Sequence, residues 1–170
     1  MLVVVGGLPG VGKTTIAAAL ARRTGANFVR IDAIETGIAL ASGSSSTVGA
    51  SGYVVGHQVV RSMLVEGMDV IVDAVNPVAA ARQGWIDLGV EFGVDVLTVE
   101  VVCSDVDLHR RRVESRSPNL PGHVMPTWED VTRLSYEPWP EADIVVDSAD
   151  VERDLVEVIA SRLRRPGALG

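Results

Sequence analysis

Short apolar runs alternate along the chain with longer segments in which apolar residues recur every three or four positions. The apolar runs, which predict strands, are residues 2–5, 27–31, 69–73, 94–102 and 144–147. The segments with helical spacing are residues 14–23, 33–41, 53–66, 77–92, 105–116, 128–136 and 151–163. Strands that helices cover on both faces lack a polar alternation. The pattern therefore predicts an α/β fold with about five parallel strands joined by right-handed crossovers.

The 170 residues are expected to form one domain, residues 1–170. Two segments interrupt the alternation of strands and helices: residues 42–51 are rich in Gly, Ser and Thr, and residues 117–127 form a proline-rich loop. The first segment is either a loop over a site or a plain surface connection, and the sequence leaves both alternatives open.

A glycine-rich segment joins the first strand to the first helix. Gly7, four further residues and then Gly12-Lys13-Thr14 match the phosphate-binding loop in the strand–loop–helix order that this motif requires. We predict that a nucleotide is held by Gly7, Leu8, Pro9, Gly10, Val11, Gly12, Lys13, Thr14 and Thr15. The alternative is a glycine-rich turn that only connects the two elements.

Phosphate binding explains the residue types in this loop. Glycines let backbone N–H groups approach phosphate oxygens, and the start of the following helix adds positive potential. We expect Lys13 to reach the β- and γ-phosphates as a catalytic residue, and Thr14 to ligand Mg²⁺. Lys13 is the only lysine in the chain, which indicates a specific need for a compact ammonium here.

Three aspartates close predicted strands: Asp32, Asp73 and Asp147. The carboxyl ends of parallel strands lie on one rim of a sheet, so these carboxylates approach the phosphate loop. We assign Asp73 to the Mg²⁺ shell, and Asp32 to the phosphate acceptor as the general base. Helix capping is the better interpretation of Asp147, and a cap or turn is the alternative for the other two.

A run of arginines ends the predicted helix 105–116. Arg112 and Arg116 lie one turn apart and lead into the proline-rich loop, as expected of a lid that closes over a transferring phosphate. We predict a lid over about residues 110–137, with both arginines catalytic and Arg112 also bound to the nucleotide. The alternative is a solvated face, since arginine near a helix C-terminus is favoured by the dipole alone.

A polar stripe follows one face of the predicted helix 53–66. Tyr53, His57 and Arg61 are spaced at i, i+4 and i+8, so they share a side of the helix. The stripe either contacts a substrate or is a solvated face.

The charge and composition of the chain limit the kinds of binding partner that we expect. The net charge of −7 argues against nucleic acid or an anionic membrane as a binding partner. No apolar run approaches a membrane span, and no basic leader precedes the first strand. The single cysteine, Cys103, cannot form an internal disulfide, so we expect a cytoplasmic protein, and a homodimer is left open as its oligomeric state.

These motifs together resemble the small P-loop kinases of the nucleoside-kinase-like group, which includes gluconate kinases, adenylylsulfate kinases and chloramphenicol phosphotransferase. The resemblance rests on the loop 7–14, on Ile31-Asp32-Ala33-Ile34, on the strand that ends at Asp73, and on the lid with residues 122–126 and 137–138. It implies a three-layer fold with sheet order 2-3-1-4-5, ATP with Mg²⁺, and a small hydroxyl compound as acceptor.

The acceptor site departs from this group's known patterns. The histidine and substrate-binding residues of gluconate kinases are missing after Asp32, and Glu35 stands nearby instead. Glu35 favours a neutral or amine-bearing acceptor, whereas Arg61 and Arg82 favour an anionic one, so the acceptor stays open.

We therefore expect an ATP-dependent kinase that phosphorylates a small-molecule hydroxyl. A nucleotide monophosphate kinase, a regulatory nucleotide-binding module without turnover, and a toxin-like kinase acting on a cell-wall precursor are the alternatives. A GTPase switch is excluded, since its guanine-reading motif needs a second lysine.

Overall fold

Five strands form one parallel sheet in the computed structural model, which describes residues 1–43, 50–118 and 121–163. The strands are β1 (Leu2–Gly6), β2 (Asn27–Arg30), β3 (Val70–Asp73), β4 (Val96–Val102) and β5 (Ile144–Asp147). Their order in the sheet is β2-β3-β1-β4-β5, and every neighbouring pair is parallel. The predicted α/β class and the order 2-3-1-4-5 are confirmed.

Seven helices connect and cover the strands in the described part of the chain. They are α1 (Lys13–Thr24), α2 (Ile31–Ser42), α3 (Ser51–Val65), α4 (Ala79–Phe92), α5 (Val106–Ser115), α6 (Trp128–Arg133) and α7 (Leu155–Leu163). None of them is long and apolar enough to cross a membrane. Most of the predicted connection 42–51 lies outside the described residues, as do residues 119 and 120 of the predicted lid.

The core lies in two layers because β1 sends alternate side chains to opposite faces of the sheet. Val3 and Val5 pack in a cluster with Leu20 of α1 and Ile159 of α7. Leu2 and Val4 pack on the other face, in a cluster that includes Val60 of α3 and the fully buried Trp85 of α4. Helices therefore bury both faces, which is why the central strands β1 and β3 have no polar alternation.

The strand register brings the chemical groups to one rim. Asp73 at the end of β3 is aligned with Val5 of β1 on one side and with Arg30 of β2 on the other. The phosphate loop therefore begins beside Asp73, and α2 with Asp32 begins beside it on the opposite flank.

Asp147 serves the turn after β5, and the helix cap predicted for it is wrong because α7 begins only at Leu155, where Asp154 Oδ1 accepts a 2.9 Å hydrogen bond from the Glu157 N–H. The Asp147 Oδ1 accepts hydrogen bonds from the backbone N–H groups of Ser104 and Ala149, each at 3.0 Å. A hydrogen bond from the Ser104 side chain, together with these backbone bonds, lowers the pKa of the Asp147 carboxyl.

Candidate active site

A cavity of about 980 Å³ opens at the carboxyl rim of the sheet. Its walls are the phosphate loop, the first turns of α2 and α3, and residues from two stretches, Arg112 to Ser117 and His123 to Leu134. The predicted phosphate loop, the acceptor-side carboxylate and the lid arginines therefore share one space.

The phosphate loop keeps its shape through glycines in the left-handed region. The φ angles of Gly7, Gly10 and Gly12 are 142°, 88° and 99°, conformations that other residues rarely adopt. Gly12 is the N-cap residue of α1 and has no side chain to accept a capping hydrogen bond. The first N–H groups of the helix therefore face the cavity without a side-chain acceptor. This is the arrangement that binds phosphate at a helix N-terminus.

The loop rests directly on α5. A Cβ built on Gly10 would lie 2.4 Å from Cγ2 of Val113, and the His109 ring nitrogen Nε2 lies 2.8 Å from the Pro9 carbonyl oxygen. Leu8 lines a separate apolar depression and Val11 is buried in the core. The side chains of Leu8 and Val11 thus fix the loop from behind.

At the floor of the site, Lys13 and the half-buried Thr14 line the cavity, and Asp73 is buried beside them. Lys13 is only 5% exposed and Asp73 only 1%. Burial raises the pKa of the Asp73 carboxyl, against the opposing effects of the Lys13 charge and the Thr14 hydroxyl. Neither Asp73 oxygen has a hydrogen bond of normal geometry to the described residues.

These floor residues fit a magnesium ion. A buried carboxylate without hydrogen bonds and a neighbouring hydroxyl supply the oxygen donors that Mg²⁺ accepts, directly or through its water. Within the described residues there is no cluster of three His, Cys, Asp or Glu side chains that could hold a metal alone. The remaining ligands would come from nucleotide phosphates, as is usual for Mg²⁺.

Asp32 lies in the first turn of α2 and is held by Arg30. The Arg30 Nη2 lies 3.1 Å from Asp32 Oδ2, and its Nε lies 3.9 Å from Asp73 Oδ2. Burial would raise the pKa of Asp32, but the charges of Lys13 and Arg30 outweigh it, so that pKa is below its ordinary value. Asp32 is therefore ionised at neutral pH.

Glu35 lies one turn further along α2 and also lines the cavity. Burial and the neighbouring Asp32 charge raise the pKa of Glu35 to about 7. Tyr53 of α3 faces the same space, and its hydroxyl oxygen accepts a 2.9 Å hydrogen bond from the Asn76 N–H. Burial raises the pKa of Tyr53 to about 12, so the phenol stays protonated.

Both predicted lid arginines line the cavity. Arg112 donates from Nη1 to the Ser148 hydroxyl at 2.8 Å and from Nη2 to the Ser148 carbonyl at 3.1 Å. Ser148 in turn lies beside Gly12 of the phosphate loop. Burial lowers the pKa of Arg116, a guanidinium that stays charged and contacts Met125.

The segment after α5 contacts α2 across the cavity. The His123 Nδ1 lies 3.0 Å from the Thr36 hydroxyl, which also donates to the Asp32 carbonyl at 2.7 Å. Gly122 lies against Leu40, where a Cβ would come within 2.8 Å of the leucine. The lid segment is thus attached to the helix that carries Asp32 and Glu35.

Three predicted substrate residues lie outside the cavity, and their assignment to the substrate is corrected. His57 stacks on Trp85 with ring centroids 3.9 Å apart, and its Nδ1 lies 2.8 Å from the Tyr53 carbonyl oxygen. Arg61 pairs with Glu91 on the surface. Arg82 is buried, and its guanidinium donates to the carbonyls of residues 76, 77, 137 and 138.

The sequence interpretation missed Arg30 and His123 as site residues. Arg30 ends a strand two positions before Asp32, and a cation beside two strand-end aspartates is the signal that could have identified it. His123 lies in the segment compared with the kinase lid, but only the structure brings it to Thr36.

Comparisons with known proteins agree with this architecture. A family model described as an AAA domain matches residues 2–133. No curated protein gives a significant match. A provisionally assigned kinase of Chloroflexus aurantiacus superposes with a TM-score of 0.78 at 22% identity, covering 96% of each chain.

Two further solved structures have the same fold. The APS kinase of Mycobacterium tuberculosis, in complex with AMPPNP and APS, has a TM-score of 0.68 at 18% identity and covers 96% of this chain and 97% of its own. A gluconokinase of Sinorhizobium meliloti has a TM-score of 0.58 at 21% identity and covers 98% and 88%. The expected resemblance to small P-loop kinases is confirmed in the fold.

Proposed function

Because the chain belongs to the AAA-domain family, whose model matches residues 2–133, we propose that it is an ATP-dependent phosphotransferase. The γ-phosphoryl group of ATP would pass to a hydroxyl of a small molecule. The carrying observation is that one cavity joins the phosphate loop to the ionised carboxylate of Asp32.

The phosphate end of the cavity has the donors and cations that would bind a triphosphate. The N–H groups at the start of α1 and the Lys13 ammonium would bind the β- and γ-phosphates. Thr14 and Asp73 would hold Mg²⁺, which neutralises charge that develops on the phosphate oxygens. Arg112 and Arg116 would add positive charge from the lid side.

Asp32 suits the acceptor end of the same reaction. The acceptor oxygen would form a bond to the γ-phosphorus while the bond from that phosphorus to the β–γ bridging oxygen breaks, and ADP leaves. The proton of the acceptor hydroxyl would pass to an Asp32 oxygen. A carboxylate that is ionised at neutral pH is ready to accept it.

The proposal is tested by ADP release from ATP and Mg²⁺, measured with and without a panel of small hydroxyl compounds. A phosphotransferase releases ADP in an acceptor-dependent manner. A regulatory nucleotide-binding module instead binds ATP without such turnover, and that result would reject the proposal.

Lys13→Ala is expected to abolish ATP binding or turnover, because it removes the buried ammonium from the phosphate loop. Isothermal titration calorimetry with ATP and Mg²⁺, together with the ADP assay, measures both effects. Full activity of this variant would place the nucleotide elsewhere.

A further inference from the structure

Carboxylates and cations both lie at the acceptor end of the cavity. Asp32, Glu35 and Asp73 lie in or beside it, and the Arg30 guanidinium is shared between Asp32 and Asp73. In the proposed reaction Lys13 and Arg116 face the phosphates of ATP. Glu35 is then the carboxylate for which the site supplies no cation.

Glu35 has no ion pair with any arginine, lysine or histidine of the described residues. Its side chain is held in place by α3. A Cβ on Gly52 would lie 2.3 Å from the Glu35 Cγ and 2.9 Å from its Oε1. The carboxyl group is therefore packed against backbone on one side and faces the cavity on the other.

The spacing of Glu35 from Asp32 suits two groups of one ligand. Residues at i and i+3 of a helix share a face, with Cβ atoms about 5–6 Å apart. A small molecule whose hydroxyl meets Asp32 can therefore place a second group against Glu35. Tyr53, whose hydroxyl oxygen is held by Asn76, and Met125 of the lid segment line the same space and can contact its carbon skeleton.

From this arrangement we infer that the acceptor carries a protonated amine, and that Glu35 binds this ammonium while Asp32 receives the hydroxyl. Amino alcohols and amino sugars are the chemical class that fits. The inference rests on the proposed phosphotransferase function and names the substrate class of the same site. Anionic acceptors are disfavoured, since they would bring a further negative charge beside Glu35 and Asp32.

The experiment uses matched acceptors that differ in one group. Glucosamine is compared with glucose and with N-acetylglucosamine, and serinol with glycerol, in the ADP assay with ATP and Mg²⁺. The amine-bearing member of each set is expected to have a kcat/KM at least tenfold above its neutral counterparts. Binding of the same compounds to the protein with AMPPNP and Mg²⁺ is measured by calorimetry as a second readout.

Glu35→Gln keeps the shape of the side chain and removes its charge. This variant is expected to reduce the amine-to-neutral ratio of kcat/KM, and the corresponding ratio of affinities, by tenfold or more. Glu66→Gln is the matched control, because Glu66 is exposed at the end of α3 and does not line the cavity. The control is expected to keep the wild-type ratio.

Equal use of amine and neutral acceptors, or the same ratio in Glu35→Gln as in the wild type, overturns the inference and leaves the phosphotransferase proposal standing. The inference is also overturned, and the phosphotransferase proposal is left standing, if the protein binds AMPPNP but neither binds nor phosphorylates any of the amines. A protein that fails to bind ATP or AMPPNP rejects the phosphotransferase proposal itself.

Discussion

Two carboxylates one helical turn apart, Asp32 and Glu35, have opposite electrostatic surroundings. Burial favours the protonated form of both. At Asp32 the charges of Lys13 and Arg30 reverse that effect and lower the pKa, whereas at Glu35 the Asp32 charge adds to it and raises the pKa to about 7. Different roles follow for the two groups: Asp32 is ionised at neutral pH before it meets a ligand, whereas Glu35 needs a cation in order to ionise fully.

Asp32→Asn removes the proposed base while keeping the side-chain volume. ATP affinity is expected to stay near the wild-type value, while kcat for acceptor phosphorylation falls by about 10²–10⁴, the usual effect of a lost general base. Steady-state kinetics and ATP titration measure the two effects. Asp87→Asn, on the exposed face of α4, is the control, and unchanged kcat in Asp32→Asn would assign the base to another group.

Glu35→Gln also has a predicted effect on stability that needs no substrate. The folded pKa of Glu35 is about 7 and its ordinary value is 4.5, so the folded protein binds its proton more tightly than the unfolded chain does. The free energy of unfolding therefore loses a contribution from Glu35 as pH rises from about 4.5 through 7. The groups facing it, Asp32 and the protonated Tyr53, provide no compensating positive charge.

We accordingly expect Glu35→Gln to have a higher Tm than the wild type at pH 8, and this difference to shrink toward pH 5. Thermal unfolding across this range measures it, with Glu66→Gln as the reference. A Tm difference that does not change with pH would mean that the Glu35 pKa is close to its ordinary value.

Among the elements, α5 packs closely against the phosphate loop at Pro9 and Gly10. Val113 leaves no space for a side chain at Gly10, and His109 contacts the Pro9 carbonyl oxygen. The same helix carries Arg112 to Ser148 beside Gly12. The position of α5 therefore determines both the back of the loop and one of its charged neighbours.

Gly10→Ala tests this contact against a matched glycine. Gly25, at the end of α1, also has a positive φ of 76° but has open space around it. Gly25→Ala is expected to cost about 1–2 kcal/mol from the left-handed backbone alone. Gly10→Ala should cost about 1–3 kcal/mol more, the usual penalty of overpacking, and should weaken ATP binding.

Chemical unfolding and ATP titration of these two variants separate the contributions. Equal stability losses, with normal ATP affinity in Gly10→Ala, would mean that α5 moves away from the loop at little cost.

Helical spacing predicted α3 correctly, but it could not locate the part of α3 that meets the cavity. Tyr53 and Arg61 share a face, yet eight residues of helix separate them by about 12 Å along the axis. Only Tyr53 reaches the cavity, while Arg61 pairs with Glu91 on the surface. The spacing of residues shows which of them share a face of a helix. Which part of that face lines a site depends on tertiary packing.

In the whole molecule, Arg82 connects the chain after β3 to the chain before β5. Its buried guanidinium binds carbonyls at residues 76–77 and at residues 137–138, and lies over Trp139 at 4.8 Å from the ring centroid. Asn76 itself receives the Trp85 indole N–H and donates to Tyr53. This network joins one hydrophobic layer to the wall of the active site.

Arg82→Met is expected to lower the free energy of unfolding by about 3 kcal/mol or more, because it leaves several buried carbonyls without their charged donor. Arg61→Met, which removes the exposed pair with Glu91, should cost less than about 1 kcal/mol. Urea unfolding followed by tryptophan fluorescence compares the two variants. Similar small losses in both would contradict the structural role of Arg82.

The strands could be predicted because they are short segments rich in apolar residues, separated by segments with helical spacing, and their order in the sheet came from the resemblance to small P-loop kinases. Helix ends were less accurate: α4 begins at Ala79 and not at residue 77, and α7 begins at Leu155 and not at residue 151. The phosphate loop was predictable because its residues are contiguous. Arg30, His123 and the network of Arg82 were not, since long-range hydrogen bonds leave no local pattern in the sequence.

Because Lys13 is the only lysine in the sequence, its chemical labelling can report whether the phosphate loop is occupied. Every lysine-directed acylating reagent has a single side-chain target in this sequence, and that target is 5% exposed on the floor of the cavity. The rate at which one tryptic peptide gains the label, followed by mass spectrometry, would therefore report how often the phosphate cradle is filled.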